Sequence, residues 1–198
     1  IVRGQVLYSD IQQQASQANG QTALDSQDSA SWLSLDYSPS DEWKNELYLA
    51  HYGDQFDMND MGFMKRNDFN EFYVSTRQNR QSYGESSGLL SSYRSIEYNY
   101  LENNAGDRLG AWIGLQYAWT FRSTRKLGIA LGSTSSGWDD RISRGHGFYA
   151  RPRQFEGSIE YLSPRGDDYV YKISGGVTND GTEKLSSYFD FSQTKYLT

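Results

Sequence analysis

The chain has 198 residues, with 25 acidic and 19 basic side chains, a formal net charge of -6 and no cysteine. The acidic balance argues against nucleic acid as a partner, and the missing cysteines exclude disulfides, thiolate metal sites and a cysteine nucleophile. Aromatic residues reach 15% although all hydrophobic residues make only 36%, and this balance favours sheet over helix bundles. We therefore expect an all-β protein.

The first half of the chain contains long polar stretches and short candidate strands. Residues 9–30 are rich in Gln and Ser without a clear period, and such a composition predicts a long polar loop. Apolar and polar residues alternate over 33–37 and over 43–49, on either side of a Ser-Pro-Ser-Asp turn. Residues 53–68 are polar again, and alternation returns over 90–100. A period of two indicates strands with one apolar face.

The clearest strand is predicted from Leu109 to Arg122, where every second residue is apolar and the residues between them are small or polar apart from Trp112. A helical period of 3.6 does not fit this pattern. The segment is longer than the ~9–11 residues that a tilted strand needs to cross a bilayer. A polar break at 123–125 and renewed alternation over 127–132 predict a hairpin.

The remaining candidate strands lie in the last quarter of the chain. Alternation runs over 155–161 and over 168–177, with a turn predicted at 163–167, and a weaker run covers 185–191. Counted with the earlier segments, these predict roughly eight to ten strands that are joined mostly in sequence. We expect an antiparallel meander within a single domain, 1–198.

The connections between the candidate strands fall into two classes of length. The breaks near 38–42, 122–126 and 163–167 are short, whereas 53–68 and 133–145 are long and polar. Short turns on one rim and long loops on the other are typical of outer-membrane barrels. A mean hydropathy of -0.78 does not conflict with such a barrel, because every second residue of a strand faces the lumen. The sequence thus predicts a transmembrane β-barrel or part of one.

Two stretches inside the predicted long loops carry sharper motifs. Residues 56–68 read FDMNDMGFMKRND, and residues 139–147 read DDRISRGHG. They are similar to motifs in a family of Gram-negative proteins of undefined function, which join a periplasmic carbohydrate-binding-like domain to a carboxyl-terminal outer-membrane barrel. The resemblance spans roughly residues 30–175. It implies an internal slice of a larger barrel in the outer membrane of a Gram-negative bacterium, with no catalytic residues to carry over.

Charged and aromatic side chains supply candidate contacts for a solute. Trp112 and Gln116 lie on the parity opposite to the apolar residues of their strand, so we expect both to face the lumen, where the indole could stack on a sugar. Arginines near the second long loop could hold an anionic solute by bidentate contacts, or could be ordinary rim charge paired with nearby carboxylates. These arginines are Arg141, Arg144, Arg151 and Arg153.

Two other motifs have a catalytic or metal-binding interpretation that the sequence supports poorly. The string from Gly84 to Gly88 fits a nucleophile elbow around Ser86, but no helical pattern follows it. An acidic series, Asp54, Asp57 and Asp60, lacks the glycine and terminal glutamate of an EF-hand. A loop is the simpler interpretation of both, and we expect no catalytic residue, metal or cofactor.

These patterns lead to one favoured function and two alternatives. The favoured one is an outer-membrane barrel that acts as a channel or solute-uptake component without chemistry, its partners being the lipid bilayer, a sugar or anionic solute, and other copies that pair through open strand edges. The first alternative is a soluble β-sandwich or jelly-roll that binds glycans. The second is a secreted hydrolase built on Ser86.

Overall fold

The computed structural model describes residues 1–12, 25–56, 66–139, 147–164, 169–182 and 184–195. These residues form twelve strands and no helix, which confirms the predicted all-β class. Within them no helix is long and apolar enough to cross a membrane. The strands are β1 (Val2–Gln12), β2 (Asp25–Ser40), β3 (Trp43–Tyr52), β4 (Phe69–Arg80), β5 (Leu89–Glu102), β6 (Arg108–Phe121), β7 (Lys126–Thr134), β8 (Gly137–Asp139), β9 (Tyr149–Arg151), β10 (Gln154–Leu162), β11 (Tyr169–Asn179) and β12 (Leu185–Lys195).

Ten of the strands form one antiparallel sheet in the order β1-β2-β3-β4-β5-β6-β7-β10-β11-β12. The short strands β8 and β9 pair only with each other, as a ribbon inserted between β7 and β10. The predicted antiparallel meander is confirmed, with ten strands in the sheet and two more in the ribbon. Over the described residues β1 and β12 do not pair with each other, so the sheet has two edges.

The predicted polar loop at 9–30 is wrong at both ends. Ser9 and Asp10 belong to β1 and pair with Asp28 and Gln27 of β2. Backbone hydrogen bonds hold this ladder together, and they do not require the apolar alternation that the prediction relied on. The central part of the predicted loop, 13–24, lies outside the described residues.

The strand predicted from Leu109 is confirmed as β6 with one local correction. The register between β5 and β6 shifts near its start, because Leu101 pairs with Gly110 and Glu102 pairs with Arg108. Leu109 is therefore the extra residue of a bulge and is buried, instead of lying on the exposed apolar side of the strand.

The three connections that the sequence predicts to be short lie at one end of the sheet and the two predicted to be long lie at the other, although 81–88 at the first end is longer than 103–107 and 180–184 at the second. One end, the short-turn end, has the connections 41–42, 81–88, 122–125 and 163–168. The other end, the long-loop end, has the connections 13–24, 53–68, 103–107, 180–184 and the segment 135–153 that contains the ribbon.

The ten-stranded sheet has two chemically different faces. Leu35, Leu47, Val74, Tyr98 and Ile113 form one row of cross-strand neighbours, so their side chains lie on the same face. Among the paired residues of this sheet, every large apolar side chain that is exposed lies on that face, with one exception on β12. We call it the apolar face, and the opposite one the polar face.

Burial on the two faces is the reverse of that in a soluble sandwich. On the polar face Ser34, Ser75 and Ser95 are buried, Ser75 with 3% of its surface exposed, among longer polar side chains. On the apolar face Ile113 remains 44% exposed. The described residues therefore leave the apolar face without a second packed layer.

Candidate functional site

Three adjoining cavities form a trough along the polar face, and Trp112 lines all of them. The cavity at the long-loop end measures about 370 Å³ and shares Thr134 with the next cavity, of about 170 Å³. That one shares Glu156 and Thr178 with a third cavity of about 370 Å³ over the middle of the face. We call the first the rim cleft and the third the floor cleft.

Glycines on the polar face allow larger side chains to lie flat on the sheet. A Cβ atom on Gly114 would overlap the indole ring of Trp112, and one on Gly176 would lie 2.6 Å from the Tyr188 ring. A flat ring needs a neighbour without a side chain, because any Cβ at those positions would lift it away from the backbone. Trp112 and Tyr188 thus lie flat at the border of the floor cleft.

The floor cleft is also lined by carboxylate and amide groups. Glu97, Gln116 and Glu156 line it together with hydroxyl side chains. Glu97 is partly neutralised, because Nη2 of Arg77 lies 3.2 Å from its Oε1. The Tyr73 hydroxyl donates to the same carboxylate at 3.4 Å. The cleft therefore offers mostly hydrogen-bond acceptors, with modest net negative charge.

The rim cleft carries positive charge. Arg66 and Arg151 line it with Trp138 and Asp139 of the ribbon and with Trp112. The ribbon lies close against the start of β6, since a Cβ on its first residue would approach the Leu109 carbonyl oxygen to 2.6 Å. Charge along the trough thus changes from basic at the long-loop end to acidic over the middle of the face.

The predicted solute contacts are brought together only in part. Trp112 and Gln116 both lie on the polar face and line the floor cleft, and Arg151 joins Trp112 in the rim cleft. Arg153 is exposed in the connection between β9 and β10 and lines none of the three cavities. Arg141 and Arg144 lie outside the described residues.

Sequence reasoning missed other members of the trough: Arg66, Glu97, Glu156 and Tyr188. Glu156 shares the alternation of its strand, and that signal places it opposite Phe155 and Gly157. Glu97 and Tyr188 reach the trough through the strand register and Arg66 through the β3–β4 connection, and no local sequence pattern predicts either.

The β3–β4 connection is fixed to the sheet at its base. The Asp28 carboxylate accepts hydrogen bonds from the backbone N–H of Ser29 at 2.7 Å and of Gln55 at 2.9 Å. Phe56, with 1% of its surface exposed, packs edge-on against the Tyr52 ring at 5.9 Å between centroids. These contacts hold the first residues of the loop against the long-loop end of the polar face.

We expect Asp28→Ala to free the base of this loop, because two backbone donors lose a charged acceptor. The local cost is about 1.5–3 kcal/mol, the range for hydrogen bonds to charged groups. Limited proteolysis within 53–68 should accelerate. Asp10→Ala is the matched control, since Asp10 accepts an exposed bond from Gln27 at 3.3 Å and no other side-chain bond from the described residues. Equal cleavage rates in the two variants would contradict the anchoring role.

The nucleophile-elbow hypothesis finds no supporting geometry. The loop before β5 is held by Arg122, whose Nε donates to the Ser87 carbonyl at 2.8 Å and whose Nη2 donates to the Gly84 carbonyl at 3.1 Å. A strand follows this loop where the elbow requires a helix. His51 lies at the opposite end of the sheet, with Nδ1 2.8 Å from Asn70 Oδ1, and His146 lies outside the described residues.

A larger depression, of about 810 Å³, lies mostly on the apolar face. Leu33, Leu49, Phe72 and Tyr100 line it, and the first three of these side chains are themselves exposed. It combines exposed apolar groups with few charges, so its chemistry is that of the surrounding apolar surface. We place the candidate site in the trough, where polar groups and rings converge.

Comparison of the chain with protein-family models, with curated proteins and with solved structures finds no match. Among the described residues no group of three or more acidic or histidine side chains could hold a metal ion. Asp57 and Asp60 of the acidic series lie outside that part of the chain. So do most of the two motifs, 56–68 and 139–147, that carry the family resemblance.

Proposed function

We propose that this chain forms the wall of an outer-membrane β-barrel, which acts as a channel or solute-uptake component. The observation that carries the proposal is the separation of the two faces: exposed large apolar side chains on one, charged and small polar side chains on the other. Lipid would contact the apolar face, and the trough would line the pore. Selection then depends on pore width and on the polar side chains along the path.

The position of the apolar band relative to the strand register supports a tilted arrangement. In β2 the band is centred on Leu35, whose row continues through Ile113 of β6 to Ser133 of β7. In β7 the band is centred on Ile129 instead, four residues nearer the short-turn end. A flat membrane layer produces such a slant when it cuts across tilted strands.

The slant approaches the strand tilt of a membrane barrel. Four residues over the five steps from β2 to β7 correspond to a tilt of about 30°, given about 3.3 Å per residue and about 4.8 Å between strands. Strands of outer-membrane barrels are tilted by roughly 35–45°.

Aromatic side chains lie at the border of the band on the apolar face. Trp119 stacks on Tyr117 at 5.3 Å between ring centroids, near the short-turn end of β6. The Arg94 guanidinium lies 5.1 Å above the Trp43 ring at the same end. Such rings are typical of membrane interfaces, where an apolar body and a polar edge meet lipid and water.

The connections and the motif resemblance together support an orientation and a location. In bacterial outer-membrane barrels the short turns face the periplasm and the long loops face outward. The long-loop end would then open to the exterior of a Gram-negative cell, with the ribbon and the rim cleft at its mouth. A soluble sandwich would require two sheets packed face to face, whereas the described residues form one large sheet and a small ribbon.

Partitioning between water and a nonionic detergent tests this proposal. We expect the chain to fold and to collect in the detergent phase, because the apolar face exposes side chains such as Ile113 and Leu131, which no other described residues cover. Near-UV circular dichroism should report fixed aromatic packing only when detergent or lipid is present. A folded, monodisperse monomer in plain buffer would overturn the membrane assignment.

A further inference from the structure

We propose that the floor cleft binds a neutral sugar, with a pyranose ring stacked on Trp112. This inference deepens the proposed function by naming the class of solute, and it rests on that function for the placement of the cleft inside a pore. The cleft itself is a feature of the polar face and does not depend on the membrane.

The two rings of the cleft provide stacking surfaces. Trp112 lies over Gly114, so one face of the indole covers the sheet and the other borders the cleft. Tyr188 is the single exposed large apolar side chain among the paired residues on the polar face, with 55% of its surface exposed. A pyranose has one face of C–H groups, which packs well against the electron-rich face of an aromatic ring.

The polar groups of the cleft match hydroxyls better than they match ions. Glu97 and Glu156 accept hydrogen bonds, whereas the Gln116 amide both donates and accepts, as sugar hydroxyls do. No lysine or arginine is among the described residues that line this cleft, which disfavours an anion. Arg77 offsets the charge of Glu97, so the cleft presents less negative charge to a cation than its two carboxylates alone would.

The size and the surface of the cleft suit one or two sugar rings. Its volume of about 370 Å³ falls within the roughly 300–1,000 Å³ of small-molecule sites. From β6 to β11 the floor spans three strand spacings, about 14 Å. Small residues keep the surface between the two rings low: Gly114, Ala130, Ser158 and Gly176.

The test is calorimetric titration of the full chain, folded in a zwitterionic detergent that has no sugar headgroup. Maltose, cellobiose and lactose are the probes, and choline chloride and sodium phosphate are the ionic comparators. We expect saturable binding of at least one disaccharide and none of either ion. Trp112→Ala should weaken that binding by at least about tenfold, which equals about 1.4 kcal/mol. Ser158→Trp, which fills the floor and keeps Trp112, should abolish it.

Trp119→Ala is the matched control, because Trp119 lies on the same strand but on the apolar face. Its affinity for the disaccharide should equal that of the unmodified chain. Failure of all three disaccharides to bind, equal binding of either ion, or equal losses for Trp112→Ala and Trp119→Ala would overturn the sugar site.

The outcomes separate this inference from the proposed function. A chain that folds only in detergent and binds no disaccharide loses the sugar site and keeps the membrane assignment. A chain that folds in plain buffer and binds the disaccharide through Trp112 keeps the sugar site. That second result would make the protein a soluble glycan-binding module.

Discussion

We expect Ile113→Arg to destabilise the protein in lipid vesicles, lowering its free energy of unfolding by about 2–4 kcal/mol. This is the cost of a lipid-facing arginine deep in the bilayer. Ile113 lies on the apolar face, in the row that begins at Leu35, and is 44% exposed, with no layer of described residues above it. Gln116→Arg is the control on the same strand, because Gln116 lies on the polar face within the floor cleft. Its loss should stay below about 1 kcal/mol.

The same strand provides a test of depth. Trp119→Arg should cost less than Ile113→Arg, because Trp119 lies nearer the short-turn end, where a long cationic side chain can reach the interface. Unfolding by urea in vesicles measures all three variants. Equal losses at Ile113 and Gln116 would contradict the lipid-facing assignment. So would a negligible loss for Ile113→Arg in a chain that folds without lipid, since an exposed surface position in water tolerates arginine.

The fold could be predicted from the segments in which apolar residues occupy every second position. In β6 every odd-numbered residue from Ala111 to Phe121 is apolar and lies on one face, so the period of two determines both the strand and its orientation. The β4 strand gave no comparable signal, because its rings lie on both faces: Phe72 on the apolar face and Tyr73 on the polar face. A strand of that kind can be identified only from its pairing with the adjacent strands of the sheet.

The amino-terminal strand was missed for a related reason. Val2, Val6 and Tyr8 alternate on the apolar face, but Gly4 interrupts them and Leu7 adds an apolar residue on the opposite side. Its partner strand continues through serines and acidic residues, whose side chains suggest a loop. Pairing of the two backbones stabilises this region, and the sequence of either strand alone does not predict that pairing.

Odd or even position along a strand predicts which face a candidate site residue lies on, but not which residues of other strands lie beside it. Parity places Trp112 and Gln116 on the polar face, and the structure brings both to one cleft. Tyr188 lies on β12 and pairs with Gly176, whereas Trp112 lies on β6, several strands away. That both side chains line one cleft therefore depends on the register of every strand pair from β6 to β12. Arg66 reaches the trough through a long connection, and connections carry little periodicity from which to place a side chain.

Edge pairing is the second large effect that we expect, since the sheet of described residues ends at β1 and β12 with open backbone groups. All eleven residues of β12 are exposed. At an edge every second N–H points away from the neighbouring strand, and in lipid each unpaired group costs several kcal/mol. We therefore expect copies of the chain to pair through these edges in detergent or lipid. Sedimentation should show oligomers whose population rises with concentration.

Hydrogen exchange along β12 distinguishes a paired edge from an open one. In an open edge the amides that point outward exchange quickly while those bonded to β11 stay protected, so protection alternates along the strand. In a paired edge both sets are protected, and we expect the outward amides to slow by about 100-fold or more, equivalent to at least about 2.7 kcal/mol. Alternating protection together with a monomer at all concentrations would contradict edge pairing.

Proline at adjacent positions of β12 identifies the hydrogen bonds responsible. Tyr188 and Phe189 are consecutive, so their N–H groups point to opposite sides of the strand, one toward β11 and one toward the edge. Of Tyr188→Pro and Phe189→Pro, the variant that removes the outward N–H should become monomeric and keep the fold, because the ladder to β11 is intact. The other should detach β12 from the sheet. If both variants remain oligomeric, the contact between copies does not use this edge.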